Sequence, residues 1–447
     1  MEKTTKMISS TAKLIQDYLK DTDILIETKD IKKRDIKKLI VRIHKHVDEP
    51  RLKGMVHHEL SDIVVIVFLA TMCGCEAWTE FEDFGRCHKK WLSHFLKLPY
   101  GIPSHDTFER VFSMLDPTQL EKATTSFIIN CMEKIKKMVE GKQPKDCELY
   151  QQYCVDGKEL RGSGRNCSCE DDEKIRNLQL LNVYNCSEEW CMYTRAIKEK
   201  TNEIPVAQEL LSSLNLKYTI VSFDAMNTQK GTVRVIHKQK GDYIGGLKEN
   251  QPLFYDEAKT AFDEDTLKKY KKSKKHYIKT IDKAHSCIET REYYMMDDLS
   301  WFCDLEKWEG LKSIVLCVST KEKKNGNKTT ENRYYISSLH DISLLSQGIR
   351  GHWAVENKLH WELDYSFKED EQTTINREAL TNLSVIKKMA LAVMKLSRPY
   401  FGKLLHDNGP ISIRRMKKVI SYDTEKGLSN ILTFLNIADI ENKLHGH

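Results

Sequence analysis

Around Lys145 the chain changes its grammar. Up to Val139 apolar residues recur at helical spacing; beyond it they gather in short runs rich in β-branched and aromatic residues. The runs are Glu148–Val155, Leu178–Tyr184 and Trp190–Ile197, then an amphipathic helical stretch over Ile204–Leu214. Tyr218–Phe223 and, after a second helix, Tyr243–Leu247 complete the series. A β-β-β-α-β-α-β order constrains the chain to the α/β class, with a mixed sheet flanked by helices.

That succession is the one a ribonuclease-H-like fold produces, with its first and fourth strands adjacent and parallel. The segment Gln251–Leu339 interrupts it with further strand-like runs at Tyr277–Ile281, Ile288–Met295, Ser313–Val318 and Arg333–Ile336. A long helical stretch begins near Gln347 and, after Thr373–Asn376, resumes to about Leu396. The expected division is a basic N-terminal extension over 1–47 and a helical N-terminal domain over 48–145. A catalytic domain over 146–400, with a mostly β insertion at about 252–340, and a tail over 401–447 follow. Within the helical domain, Pro99-Tyr100-Gly101-Ile102-Pro103 breaks the pattern, and Asp106 and Glu109 have capping-box spacing for a new helix. Helix, turn and capped helix are compatible with a DNA-reading unit and equally with any small helical domain.

Charge is informative by its distribution. The chain of 447 residues carries 71 Lys and Arg against 65 Asp and Glu, only mildly basic. Asp30–Val47 holds seven Lys or Arg against two acids, with Ile36, Leu39, Ile40 and Ile43 at helical spacing, which predicts a basic amphipathic helix. Lys268–Lys283 holds eight Lys against one acid, so Lys271, Lys272, Lys274 and Lys275 are candidates for salt-sensitive contact with DNA phosphates. The start lacks the apolar segment of a secretory signal, and the longest apolar run, Ile63–Met72, is too short to span a bilayer. The 13 cysteines include Cys73-x-Cys75, Cys167-x-Cys169 and Cys186-x4-Cys191, spacings that do not assemble into a zinc framework. The expectation is a soluble protein with no membrane partner and mostly free thiols. Its compartment would be the cytoplasm, associated with the nucleoid, or the nucleus in a eukaryotic host.

Three places would hold acids rigidly. Asp156 ends the first strand and Asp224 the fourth, and if those strands are neighbours their carboxylates approach each other. Two carboxylates that close repel unless a cation lies between them. An Asp ending a strand is by itself more often a turn or cap residue. The third place is the helix Ile349–Asp364, where His352, Glu356, His360 and Asp364 follow at i+4 intervals beside the apolar stripe Val355, Leu359, Leu363. His352 and His360 stand about 12 Å apart along a helix axis and cannot both bind one ion. Oxygen ligands from Asp156, Asp224 and Glu356 suit Mg²⁺, with Mn²⁺ a plausible substitute. Walker A, dinucleotide, serine-elbow and HExxH patterns are absent from the sequence.

From Asp48 onward the chain resembles the H-repeat-associated family of DDE-type insertion-sequence transposases. Its motifs include Gly101-Ile102-Pro103-Ser104-His105-Asp106-Thr107-Phe108, Asp156-Gly157-Lys158-Glu159-Leu160-Arg161-Gly162-Ser163 and Lys200-Thr201-Asn202-Glu203-Ile204. Asp224-Ala225-Met226-Asn227-Thr228-Gln229-Lys230, Lys248-Glu249-Asn250-Gln251 and His352-Trp353-Ala354-Val355-Glu356-Asn357-Lys358-Leu359-His360-Trp361 follow in order. His285-Ser286-Cys287 departs from the Gly-Arg that relatives carry after the His.

The resemblance implies that Asp156, Asp224 and Glu356 are a catalytic triad holding two divalent ions, with Asp156 bridging them. It implies cleavage at element ends and strand transfer into double-stranded target DNA by the freed 3′-OH, on a homodimer or larger assembly. Lys158, Arg161, Lys248 and Arg350 are candidates for phosphate contact. Asn357, His360 and Asp364 are candidates for orienting Glu356 or a flanking nucleotide. A transposase-derived DNA-binding protein, or a metal-dependent nuclease without strand transfer, would share the fold. A zinc-binding regulator is the least supported alternative.

Overall fold

The computed structural model describes residues 5–9, 12–14, 17, 33–139, 147–165, 175–198, 201–284, 287–405 and 411–435. Asp30–Lys32, Cys167-x-Cys169, Lys200 and His285–Ser286, named above, lie outside the described residues.

Ten strands form one sheet among the described residues: β1 (Thr5–Ile8), β2 (Cys147–Leu160), β3 (Leu178–Asn185), β4 (Trp190–Ala196), β5 (Thr219–Phe223) and β6 (Asp242–Leu247), then β7 (Tyr277–Ala284), β8 (Cys287–Met296), β9 (Ser313–Lys323) and β10 (Lys328–Ser337). The order is β4-β3-β2-β5-β6-β10-β9-β8-β7, with β1 pairing the start of β2. β2, β5 and β6 run parallel, so the first and fourth strands of the catalytic series are adjacent as expected. The inserted strands do not form a separate unit. β10 pairs antiparallel with β6 and extends the same sheet outward to β7.

Two apolar layers hold the sheet, one on each face. Helices Glu203–Ser212, Lys230–Lys238 and Pro252–Ala261 bury Ala207, Leu211, Val233, Ile236 and Ala258 against Val155, Val221 and Phe223 on one face. Helix Ile342–Val355 covers Ile220 and Ile244 on the other. Its Gly348 and Gly351 set the distance: a β-carbon there would overlap the side chains of Ile244 and Gln152. Side-chain Nδ/Nε chemistry then pins it, because Gln152 Nε2 donates to the Gly348 carbonyl at 2.7 Å.

The remaining helices form a body around Leu60–Cys73, which is buried along nearly its whole length, and Arg377–Leu404. The basic amphipathic helix is present as Lys33–His46, with Ile36, Leu39 and Ile43 buried against Pro117–Val139 and Lys37 and Lys45 exposed. Where the sequence reading set 1–47 apart as an extension and 401–447 as a tail, the described parts of both are packed. β1 joins the sheet, and helices Ile413–Tyr422 and Thr424–Phe434 bury Ile413, Met416, Ile420, Leu428 and Ile431 in the same helical core. Apolar residues at i, i+3 and i+4 in both segments supply the reason.

The capping-box expectation is also corrected. Helix His105–Met114 begins one residue before Asp106, and Glu82 of helix Trp78–Cys87 accepts the His105 N–H at 2.7 Å. A tertiary acceptor there replaces a local one. Among the described residues no single helix is long and apolar enough to cross a membrane. Ten of the described cysteines form no disulfide, and Cys73, Cys75, Cys186 and Cys191 pack against the helical core.

Candidate active site

Asp156 does not end its strand. β2 continues to Leu160 by pairing with β3, but its parallel ladder with β5 stops at Val155↔Phe223, so Asp156 and Asp224 each follow the last parallel pair. Adjacent strands lie about 4.8 Å apart, which brings the two acids to one spot at the carboxyl end of the ladder. The third acid arrives from helix Ile342–Val355. At Glu356–His360 that helix widens into one π turn, closed by the Trp361 N–H bonding to the Glu356 carbonyl, before Trp361–Phe367 resumes α geometry. With more than four residues in that turn, positions i and i+4 come nearly into line, and Glu356 and His360 face the sheet together.

The outcome is a compact group. Ligating atoms of Asp156, Glu356 and His360 all lie within 4.8 Å of one another. His360 Nδ1 is 3.6 Å from Asp156 Oδ2 and 3.7 Å from Glu356 Oε2. Its other nitrogen, Nε2, lies 3.4 Å from Asn182 Nδ2, while Asn182 Oδ1 accepts from the Thr194 hydroxyl at 3.2 Å. That chain assigns the proton to Nδ1, so His360 presents an N–H to both carboxylates and holds them apart from each other. Asp224 stands just outside the group. Its Oδ1 accepts from the Asn227 backbone N–H at 3.0 Å and from Asn227 Nδ2 at 3.2 Å.

The electrostatics describe a site short of positive charge. Burial pushes the Asp156 carboxyl up from 3.8 to about 6; His360 and His352 oppose this, and the Glu356 and Asp224 carboxylates add to it. The His360 hydrogen bond holds Glu356 below the usual carboxylate range against partial burial. Burial would lower His352, but its contact with Cys154 and the nearby Asp156 and Asp224 raise it overall. A buried carboxyl that resists ionising beside further carboxylate oxygens fits a hard divalent cation, the donor set Mg²⁺ or Mn²⁺ prefers.

The other expected residues divide by what they touch. Lys158, a candidate for DNA phosphates, is instead buried, with Nζ at 2.6 and 2.7 Å from the Asp364 oxygens and 3.2 Å from Asp370. It shares a strand face with Asp156 and ties the segment after Glu356 to β2. Asp364 is therefore committed to Lys158 rather than to Glu356. Asn357 is exposed and donates to the Trp353 carbonyl at 2.9 Å. Of the three residues expected to orient Glu356 or a flanking nucleotide, His360 comes within 3.7 Å of the Glu356 carboxylate.

Arg161 has an 83% exposed side chain 3.7 Å from Asp370, Lys248 is exposed, and Arg350 pairs with Asp282 at 3.5 Å. In the lysine run, Lys271 and Lys275 pair with Glu292 and Asp297, while Lys272 and Lys274 are exposed. Sequence reasoning missed Gln152 and Asn182. Both are buried amides inside strands; Asn182 interrupts the apolar run Leu180–Val183, which was the available signal, whereas Gln152 beside Gln151 carried none.

A family model described as "Transposase DDE domain" matches residues 149–393, more than half of the chain and all three acids. The chain belongs to the DDE transposase family. A second model, "DDE_Tnp_1-associated", matches residues 42–128 in the helical body of this transposase. Among its relatives, a protein of Escherichia coli O157:H7 described as a transposase, YncI, is 30% identical over 383 residues, covering 85% of this chain and 90% of its own. The H repeat-associated transposase YhhI of Escherichia coli K12 is 30% identical over 370 residues, covering 80% and 91%. A protein encoded in the dhlA 3′ region of Xanthobacter autotrophicus is 33% identical over 281 residues, covering 63% and 88%.

Proposed function

We propose that this transposase cleaves DNA at the ends of an insertion element and joins the freed 3′-OH to double-stranded target DNA, using Asp156, Asp224 and Glu356. The observation that carries the reading is the convergence of Asp156 and Glu356 on His360, with Asp224 ending the adjacent parallel strand. The order β4-β3-β2-β5-β6 with β2, β5 and β6 parallel supports a ribonuclease-H-like catalytic sheet.

Asp156, Asp224 and Glu356 would hold the divalent cations. What bound cations supply is Lewis-acid polarisation of the phosphodiester and a lowered pKa for the attacking water or 3′-OH. The protein's own contribution is placement. Asp156 and Glu356 face the same His360 edge, and Asp224 is held by Asn227, so the acids are placed before the reaction begins. Such a transfer needs no covalent enzyme intermediate. Arg161, Lys248, Arg350, Lys272 and Lys274 would meet the phosphate backbone. The helical body over 48–145 would read the element end, with its neighbours before and after in sequence packed on it. Synapsis of two ends calls for at least a dimer on DNA.

The test is an assay with Mg²⁺, a duplex bearing the element ends and a supercoiled target. Cleaved ends and joined products are expected from the wild type, and neither from Asp224→Asn or Glu356→Gln. Cleavage without joining would leave a metal-dependent nuclease, and binding without either a transposase-derived DNA-binding protein.

A further inference from the structure

A fourth carboxylate reaches the site from a direction the triad does not account for. Glu203 opens helix Glu203–Ser212, whose N-cap Asn202 accepts the Ile204 N–H at 3.1 Å. The Glu203 side chain runs back over β2, and a β-carbon on Gly157 would overlap its carboxylate. That is a reason for glycine to follow Asp156. Among the described residues Glu203 has no cationic partner. Instead Asn227 Nδ2 donates to Glu203 Oε2 at 3.2 Å and to Asp224 Oδ1, also at 3.2 Å.

Asn227 is fully buried, and its own Oδ1 has no hydrogen-bond partner. An unpaired buried amide oxygen costs about 1–3 kcal/mol. Turning the amide over would set that oxygen against two carboxylate oxygens, so the pair of acceptors decides its orientation. Asp224 Oδ1 thus carries two donors, the Asn227 backbone N–H and side-chain Nδ2, leaving Oδ2 as its uncommitted oxygen.

We infer that Glu203 is a positioning residue for Asp224: acting through Asn227, it locks the Asp224 carboxylate so that one oxygen alone is offered to a cation. This rests on the proposed role of Asp224. Burial, and after it the Asp224 charge, also lifts the Glu203 carboxyl above its usual range.

The test compares Glu203→Gln with Glu203→Ala in the full chain. Gln keeps an oxygen that accepts from Asn227 but carries no charge, and Ala keeps neither. Mn²⁺ binding by calorimetry is the readout, alongside the Mg²⁺ concentration that half-saturates end cleavage. Glu203→Gln should stay within about threefold of the wild type. Glu203→Ala should weaken Mn²⁺ binding by about tenfold or more, the usual cost of losing a group that orients a ligand. Because Glu203 acts through Asn227, the double variant Glu203→Ala/Asn227→Ala should be no worse than Asn227→Ala alone, and this comparison also serves if Glu203→Ala folds poorly.

Unchanged Mn²⁺ binding in a folded Glu203→Ala protein overturns the inference. So do equal losses in Gln and Ala, which would mean that the charge itself acts on the cation, or additive losses in the double variant. Wild-type cleavage by Asp224→Asn would remove the underlying reading instead, which is a separate result.

Discussion

Asp156→Asn should stabilise the protein while abolishing its chemistry. The wild-type carboxyl is lifted from 3.8 to about 6, chiefly by burial and with the Glu356 and Asp224 carboxylates adding to it. A carboxyl raised in the folded state binds its proton there more tightly than in the unfolded chain. Stability therefore falls as pH rises from about 4 to about 6, and the loss is complete above that. At roughly 1.4 kcal/mol per tenfold change in proton affinity, the ionised group costs about 3 kcal/mol near pH 7.5, as an upper figure. By the same linkage the cost shrinks to about 1 kcal/mol at pH 4.5.

Asparagine keeps an oxygen for the His360 N–H and carries no charge to desolvate. At roughly 2–4 °C per kcal/mol for a domain of this size, its Tm should exceed the wild type's by about 5–10 °C at pH 7.5 in chelator. The gap should narrow at pH 4.5, and Mn²⁺ should close it by raising the wild type alone. Scanning calorimetry at the two pH values decides the matter. An Asp156→Asn protein that melts at or below the wild type at pH 7.5, or a gap that does not change with pH, would refute the electrostatic account of the site.

Lys158→Met should destabilise the catalytic domain by about 2–4 kcal/mol in chemical denaturation, because Asp364 and Asp370 lose a buried partner but keep some contact with water. Replacing Lys271, Lys272, Lys274 and Lys275 by Ala should reduce the salt slope of duplex binding by about 2, from the two lysines not held by an acid, since each phosphate contact contributes about 0.9. An unchanged slope would remove the lysine run from the DNA-contact surface. Gly157→Ala should cost about 1–3 kcal/mol and weaken Mn²⁺ binding, because the new methyl must displace the Glu203 carboxylate. Normal Mn²⁺ binding by that variant would show the carboxylate to be free to move.

Local pattern determined much of this transposase. Runs rich in β-branched and aromatic residues marked nine of the ten described strands, and i, i+3, i+4 spacing marked helices, because each element must show its apolar side to a core whatever its partners. The expectation that the three acids meet was also drawn from local pattern, two from strand-like runs and one from the helix beside Val355 and Leu359. What the pattern could not carry was who meets whom. That Lys158 belongs to Asp364, that Glu82 caps a helix 23 residues away, and that helices Lys33–His46, Ile413–Tyr422 and Thr424–Phe434 join one helical core are contacts between distant segments. The π turn at Glu356–His360 and the Glu203–Asn227–Asp224 bridge are of the same kind. A sequence specifies which faces are apolar through short-range periodicity. The pairing of buried polar groups depends on distances that exist only after the layers have packed, so only the tertiary structure decides it.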